Sequence, residues 1–122
     1  MDVTAVINSI PTLAVDAICV AHRSSSSDEY RVVWVNNAFC QMFATTQDAA
    51  QGSDPFGLYH QDYVADFKFA FAEMLEAGRS SFMQDTMCLR QDGSSFWGGV
   101  SFVKMVEQAD EGEYLIVYIR NV

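Results

Sequence analysis

The chain has 122 residues, of which 50% are apolar and 13% aromatic, with 16 acidic residues against 7 basic ones and a formal net charge of −9. That length fits one domain spanning 1–122, and the apolar and aromatic content excludes intrinsic disorder. So few scattered cations exclude nucleic acid as a partner, because its binding rests on Lys and Arg displacing counterions from phosphates. No apolar run reaches the roughly 18–20 residues of a membrane-spanning helix, and Asp2 stands where a signal peptide would be basic. A cytoplasmic protein without direct membrane contact is therefore expected. Cys19, Cys40 and Cys88 match no CxxC spacing and read as free, small core residues of a reducing compartment.

Val3, Val6, Ile7 and Ile10 recur at i, i+3, i+4 and i+7, the stripe of a short cap helix over 1–10 that Pro11 ends. Leu13–His22 reads as a strand, and the polar loop Ser24–Asp28 turns it into a second one, Tyr30–Asn36. On that second strand Arg31, Val33 and Val35 share one side and Tyr30, Val32 and Trp34 the other, so both faces are largely apolar. Asn37–Phe43 switches to helical spacing, with Asn36 and Asn37 as candidate caps. Thr46–Gln51 is a helical turn backed by Gly52, and Pro55-Phe56-Gly57 is a break. The long helix runs from Gln61 to Ala77 and stops at Gly78. Val64, Phe67, Phe71, Met74 and Leu75 form its core stripe and Asp66, Glu73 and Glu76 its far side, where Phe69 is out of place. After Gly78 the period becomes 2. Phe82–Gln91 and Ser94–Glu107 flank the turn Asp92-Gly93, and Asp110-Glu111-Gly112 leads into Tyr114–Arg120, giving a three-stranded meander. Gly98-Gly99 inside a strand marks a bulge or a close backbone approach.

No catalytic constellation follows from these residues. His22 and His60 lie in different elements with no second His at i+4, no Gly-rich loop opens a helix, and no G-x-S-x-G elbow occurs, so no metal and no catalytic site is expected. What stands out is an apolar layer between helices and sheet. Phe39, Met42, Phe43, Phe56, Phe67, Phe71, Met74, Met87, Leu89 and Trp97, with Met83 and Phe96, either fill a core or surround an apolar ligand held by one or two polar anchors. A small cone-shaped α+β enzyme is the rival reading, with Asp85 between Met83 and Met87 as its nearest stranded acid. A protein–protein docking module with a filled core is another.

Four segments, in order, carry a resemblance to a known family. Arg31-Val32-Val33-Trp34-Val35-Asn36-Asn37-Ala38-Phe39 is similar to an "I-x-Y-V-N-x-A-F" lead into a first helix. Tyr59-His60-Gln61-Asp62-Tyr63 is similar to the "H-P-x-D" that opens a long helix, with Gln61 in place of Pro. Leu89-Arg90-Gln91-Asp92-Gly93-Ser94-Ser95-Phe96-Trp97 matches an "R-K-D-G-S-x-x-W" hairpin, and Tyr118-Ile119-Arg120-Asn121-Val122 resembles an "x-x-R-D-I-T" exit with Asn121 in place of Asp. Over essentially its whole length the chain resembles a PAS domain, the sensory module of bacterial signalling proteins. The resemblance implies an α+β fold, a five-stranded antiparallel sheet in order 2-1-5-4-3 with helices on one face and an N-terminal cap helix.

It also implies a sensory and dimerisation module acting on an effector C-terminal to it. By family habit that effector is a GGDEF or GGDEF/EAL cyclic-di-GMP unit or a histidine kinase. A flavin-attacking Cys would fall within Gly52-Ser53-Asp54-Pro55-Phe56-Gly57, which has none; Cys40 lies one helix too early. Haem-binding relatives carry their His within the long helix, so His60, at its mouth, is the one placed as a haem ligand. A small non-covalent metabolite, or no cofactor, is expected ahead of haem or flavin. A helix as short as 1–10 is marginal alone, so Val3, Val6, Ile7 and Ile10 are expected to pack on the outer sheet face or against their twins in a homodimer.

Overall fold

In a computed structural model, which describes residues 16–24, 26, 27, 29–106 and 112–121, local signals in the sequence decide where most elements start and stop. The order is β1 (Ala17–Arg23), β2 (Arg31–Val35), α1 (Asn37–Phe43), α2 (Gln47–Ala50), a 3-10 turn (Pro55–Leu58), α3 (Gln61–Glu76), β3 (Ser81–Leu89), β4 (Ser95–Val106) and β5 (Glu113–Asn121). Pairing is antiparallel throughout, in the order β2-β1-β5-β4-β3, as the resemblance implies. The expected helix over 1–10, with Val3, Val6, Ile7 and Ile10, lies outside the described residues.

Asn36 begins α1. Its Oδ1 accepts from the amide of Phe39 at 2.9 Å and from that of Ile18 at 3.0 Å, while its Nδ2 donates to the Asp16 carbonyl at 3.1 Å. One side chain thus caps a helix and fastens it to β1. His60 caps α3, its Nδ1 accepting from the Asp62 amide at 3.1 Å, and Gly78 follows the helix at φ 72°. The hairpin between β3 and β4 is wider than the expected two-residue turn. Beyond the Leu89–Ser95 pair the Arg90 amide still donates to the Ser94 carbonyl at 2.8 Å and the Gly93 amide to the Arg90 carbonyl at 3.0 Å, while Asp92 accepts from the Ser94 amide at 2.9 Å and hydroxyl at 2.6 Å within the turn.

The register between β1 and β2 shifts between Val20 and Ala21, so Val20 pairs with Trp34 but Ala21 with Val32. The extra residue reverses the side-chain alternation. Val32 and Val35 therefore both face the helices, and Val33 and Trp34 both face away, a correction to the strict alternation read from sequence.

On the helix side of the sheet, Phe102 sits centrally. Its ring stacks on Phe82 at 5.2 Å and meets Phe67 at 5.1 Å and Phe71 at 5.5 Å. Phe39, Phe43 and Met74 complete this layer from the helices, and Leu115, Val117 and Ile119 from β5. Gly98 lies on the same side, where an added Cβ would come within 2.6 Å of Cys88 Sγ. The close approach is thus real, and the continuous β3–β4 register shows no bulge there. On the opposite side Ile18, Val20, Tyr114 and Ile116 form a second buried cluster. Cys19 and Cys88 are buried as expected, while Cys40 is only half-buried.

The segment from Gly52 to His60 is tied to both rims of the sheet. At β2, the Gly52 amide donates to the Val32 carbonyl at 2.7 Å and the Val32 amide to the Ser53 carbonyl at 2.9 Å. At β3, Tyr59 bridges to Cys88 and the His60 amide donates to the Met87 carbonyl at 2.9 Å.

Candidate functional site

The centre of the apolar layer is filled: Phe67 and Met74 are fully buried and Phe71 is nearly so. Among the described residues, two clefts lie along the segment Ser53–Leu58. The first, about 360 Å³, lies between α1, α2 and the β3–β4 hairpin and is lined by Phe39, Phe43, Ala50, Leu58 and Leu89, with Asp54 and Arg90 as charged groups. Arg90 is held in place. Its Nε donates to the Met42 carbonyl at 3.0 Å and its guanidinium lies 4.4 Å from the centre of the Phe96 ring. The Gln91 amide donates to the Phe43 carbonyl at 2.9 Å, pinning the hairpin against α1.

The second cleft, about 480 Å³, is framed by the end of β1 (Arg23), the approach to β2 (Glu29, Tyr30), Asp54 and Phe56, α3 (Lys68, Phe71, Leu75) and the start of β5 (Glu113). Phe71 meets Tyr30 edge-on at 5.9 Å and Phe56 at 5.6 Å, so three rings form its apolar lining. Lys68 Nζ stands 5.4 Å from the centre of the Phe56 ring. Glu113 is only 7% exposed. Its Oε1 accepts from Arg23 Nε at 3.0 Å, from Arg23 Nη2 at 2.8 Å, and from the Tyr30 hydroxyl. Burial pushes its carboxyl upward, but the hydrogen bonds from Tyr30 and Arg23 outweigh that and hold it below the usual 4.5. Burial, with Glu113 beside it, raises the Tyr30 phenol.

The expected pocket residues divide four ways. Phe39, Phe43 and Leu89 line the first cleft, and Phe56 and Phe71 the second. Phe67 and Met74 belong to the solid core, with Met42 packed at its margin. Met87 and Trp97, which pair with each other, lie on the far side of the sheet, where Trp97 is 45% exposed and meets Tyr63 edge-on at 5.5 Å. Phe96, its strand neighbour, already takes the helix side, and adjacent strand residues face opposite ways. His60 lines neither cleft; its Nδ1 serves the helix cap. Asp85 is exposed on edge strand β3.

The trio Arg23, Tyr30 and Glu113 was not visible in the sequence. Arg23 and Glu113 pair across β1 and β5 although 90 positions apart. Among the described residues no group of His, Cys, Asp and Glu could hold a metal ion, and no helix is long and apolar enough to cross a membrane.

A family model described as a PAS domain matches residues 15–122. Among solved structures, the PAS domain of a protein from Colwellia psychrerythraea superposes with a TM-score of 0.79 at 13% identity, covering 99% of this chain and 98% of that one. A PAS domain from a two-component sensor histidine kinase gives 0.71 at 17% identity, covering 98% and 96%. The blue-light activated histidine kinase EL346 of Erythrobacter litoralis gives 0.72 at 18% identity, covering 88% of this chain but only 33% of that much longer one. No curated protein sequence matches the chain. At these identities the structural likeness concerns the fold.

Proposed function

The chain belongs to the PAS domain family, whose members are sensory, and on that premise we propose that it is a cytoplasmic input unit that controls an effector on its C-terminal side. One observation carries this reading: Glu113, in the floor of the larger cleft, is the first residue of β5, and β5 is the central strand that runs on to Asn121. A ligand or partner group that changes the pairing of Glu113 therefore acts on the strand leading to the effector, and the response is a shift between two packings of sheet and helices. A histidine kinase is supported as output by the likeness to EL346, whereas a GGDEF-type diguanylate cyclase rests on family habit alone.

The unit acts as a homodimer in this proposal. Met83 (76% exposed), Trp97 (45%) and Val103 (36%) leave apolar surface on β3 and β4 that a second copy would cover. The expected stripe Val3, Val6, Ile7 and Ile10 would contribute, so deleting residues 1–10 should leave a monomer.

The test is a UV–visible spectrum of freshly purified protein followed by its native mass spectrum. A dimer mass, with or without a small adduct, is expected, and an absorption band of haem or flavin would assign the ligand class directly. A monomer at all concentrations, with no adduct, would overturn both the dimer and the ligand-sensing reading and leave a docking module.

A further inference from the structure

We propose that the cleft between β1, α3 and β5 takes a small zwitterion, a molecule with one ammonium and one carboxylate on an apolar or aromatic body, as in an α-amino acid. This rests on the reading of the clefts as ligand sites and adds the chemistry of what fits.

Glu113 Oε1 holds all three of that side chain's hydrogen bonds, and Oε2 receives none from the described residues. Arg23 sends Nε and Nη2 to Oε1 and Nη1 to the Ser27 carbonyl at 3.0 Å, and its two remaining N–H groups make no bond to Oε2. Lys104 adds its field to Glu113 but no hydrogen bond. No solvent-excluded side-chain nitrogen or oxygen among the described residues lacks a partner, so Oε2 is open to the cleft that Glu113 lines and is free to accept from a molecule bound there.

Lys68 presents the opposite need. Its ammonium stands over Phe56 and has no carboxylate within ion-pair distance among the described residues. At the rim, Asp54 spends Oδ1 on the Phe56 amide at 2.9 Å and Glu29 spends Oε2 on Arg31 at 2.7 Å, each keeping one oxygen. Acceptors thus come from β5 and the two loops and a lone cation from α3, with Tyr30, Phe56 and Phe71 lining the space.

A simple cation would be repelled by Lys68. A simple anion would meet Asp54, beside the ion pairs Arg23–Glu113 and Arg31–Glu29, and the field of a chain of net charge −9. A molecule carrying both charges satisfies both sides, and a space of about 480 Å³ admits one with a large side chain.

The test is an NMR amide-shift titration with L-phenylalanine, its C-terminal amide, which lacks the carboxylate, and 3-phenylpropionate, which lacks the ammonium. L-Phenylalanine is expected to shift the amides of Tyr30, Phe56, Phe71 and Glu113, and each single-charge probe to bind at least about tenfold more weakly. Lys68→Met, at an exposed position, is expected to weaken L-phenylalanine about tenfold and leave the amide unchanged. Equal binding of all three probes, or no effect of Lys68→Met, would overturn the proposal. A single-charge probe that binds best here would also overturn it while leaving ligand sensing intact. Silence from all twenty amino acids overturns the zwitterion, and ligand sensing falls with it only if the native mass spectrum also lacks an adduct.

Discussion

Replacing Gly98 by Ala separates two effects of opposite sign. In an ordinary strand interior the change should stabilise by about 0.5–1 kcal/mol, because Gly loses more backbone freedom on folding. Here the new Cβ would lie 2.6 Å from Cys88 Sγ, 3.2 Å from Ile119 Cγ2 and 3.6 Å from Phe96 Cε2. Carbon prefers about 3.5–4.0 Å from such neighbours, so roughly an ångström of overlap must be relieved. Cys88 is fully buried and has one rotatable bond, and Ile119 is fully buried too, so neither can swing into solvent. Overpacking of this kind costs about 1–3 kcal/mol. The net effect is a loss of about 1–2 kcal/mol, or a Tm lower by about 3–10 °C for a domain of this size. A double-mutant cycle with Cys88→Ala isolates the contact. Without the sulfur, Gly98→Ala should be neutral or stabilising, giving a coupling of about 1–3 kcal/mol in urea denaturation. If the two changes instead add to within about 0.3 kcal/mol, or if Gly98→Ala alone raises Tm, the close packing of β4 against Cys88 is refuted.

Three further outcomes follow from the same structure. Glu113 has a folded pKa below its usual 4.5, so its stabilisation is complete above the unfolded value and is lost as pH falls through the folded one; Glu113→Gln should cost about 2–3 kcal/mol at neutral pH and flatten that acid limb in urea melts between pH ~3 and ~7. Burial pushes the Cys19 and Cys88 thiols each up to about 12 while Cys40 is half-buried, so an aromatic disulfide reagent should titrate one thiol quickly in native protein and all three in denaturant. Three fast native thiols would contradict that packing. Asn36→Ala removes a helix cap and two links to the start of the sheet, and should lower stability by about 2–3 kcal/mol in urea denaturation, where Asn36→Asp, which keeps the accepting oxygen, loses less.

What could be read in advance was what depends on near neighbours. Asn36 before a helical stripe, Gly78 after one and Asp92-Gly93 between two alternating runs each stand where the backbone needs them. The strand order came from family resemblance rather than from periodicity. Face assignment failed where alternation was not respected or not sufficient. Phe96 and Trp97 were placed in one layer although a strand must separate them, and the displaced pairing at Val20 could not be seen in Val32-Val33-Trp34-Val35 itself. The larger cleft was half legible: Phe56 and Phe71 came from the apolar pattern, but Arg23 and Glu113 meet only because β1 lies beside β5. Their ion pair was invisible for the same reason that most long-range polar contacts are, since any of many acids could have been the partner.

The fastening of Gly52–His60 at Val32 and at Met87–Cys88 also bears on how this sheet behaves in a crowded solution. An open sheet offers unpaired amides and carbonyls at its outermost strands, and such a row is a template on which another chain can add. Here a single crossing segment occupies part of the row on both outermost strands, β2 and β3. It leaves the stretch of β3 before Met87, where Asp85 places a charge. Loosening that segment would free two templates together, so variants that melt Pro55–Leu58 should show up first as aggregation, before any loss of the core.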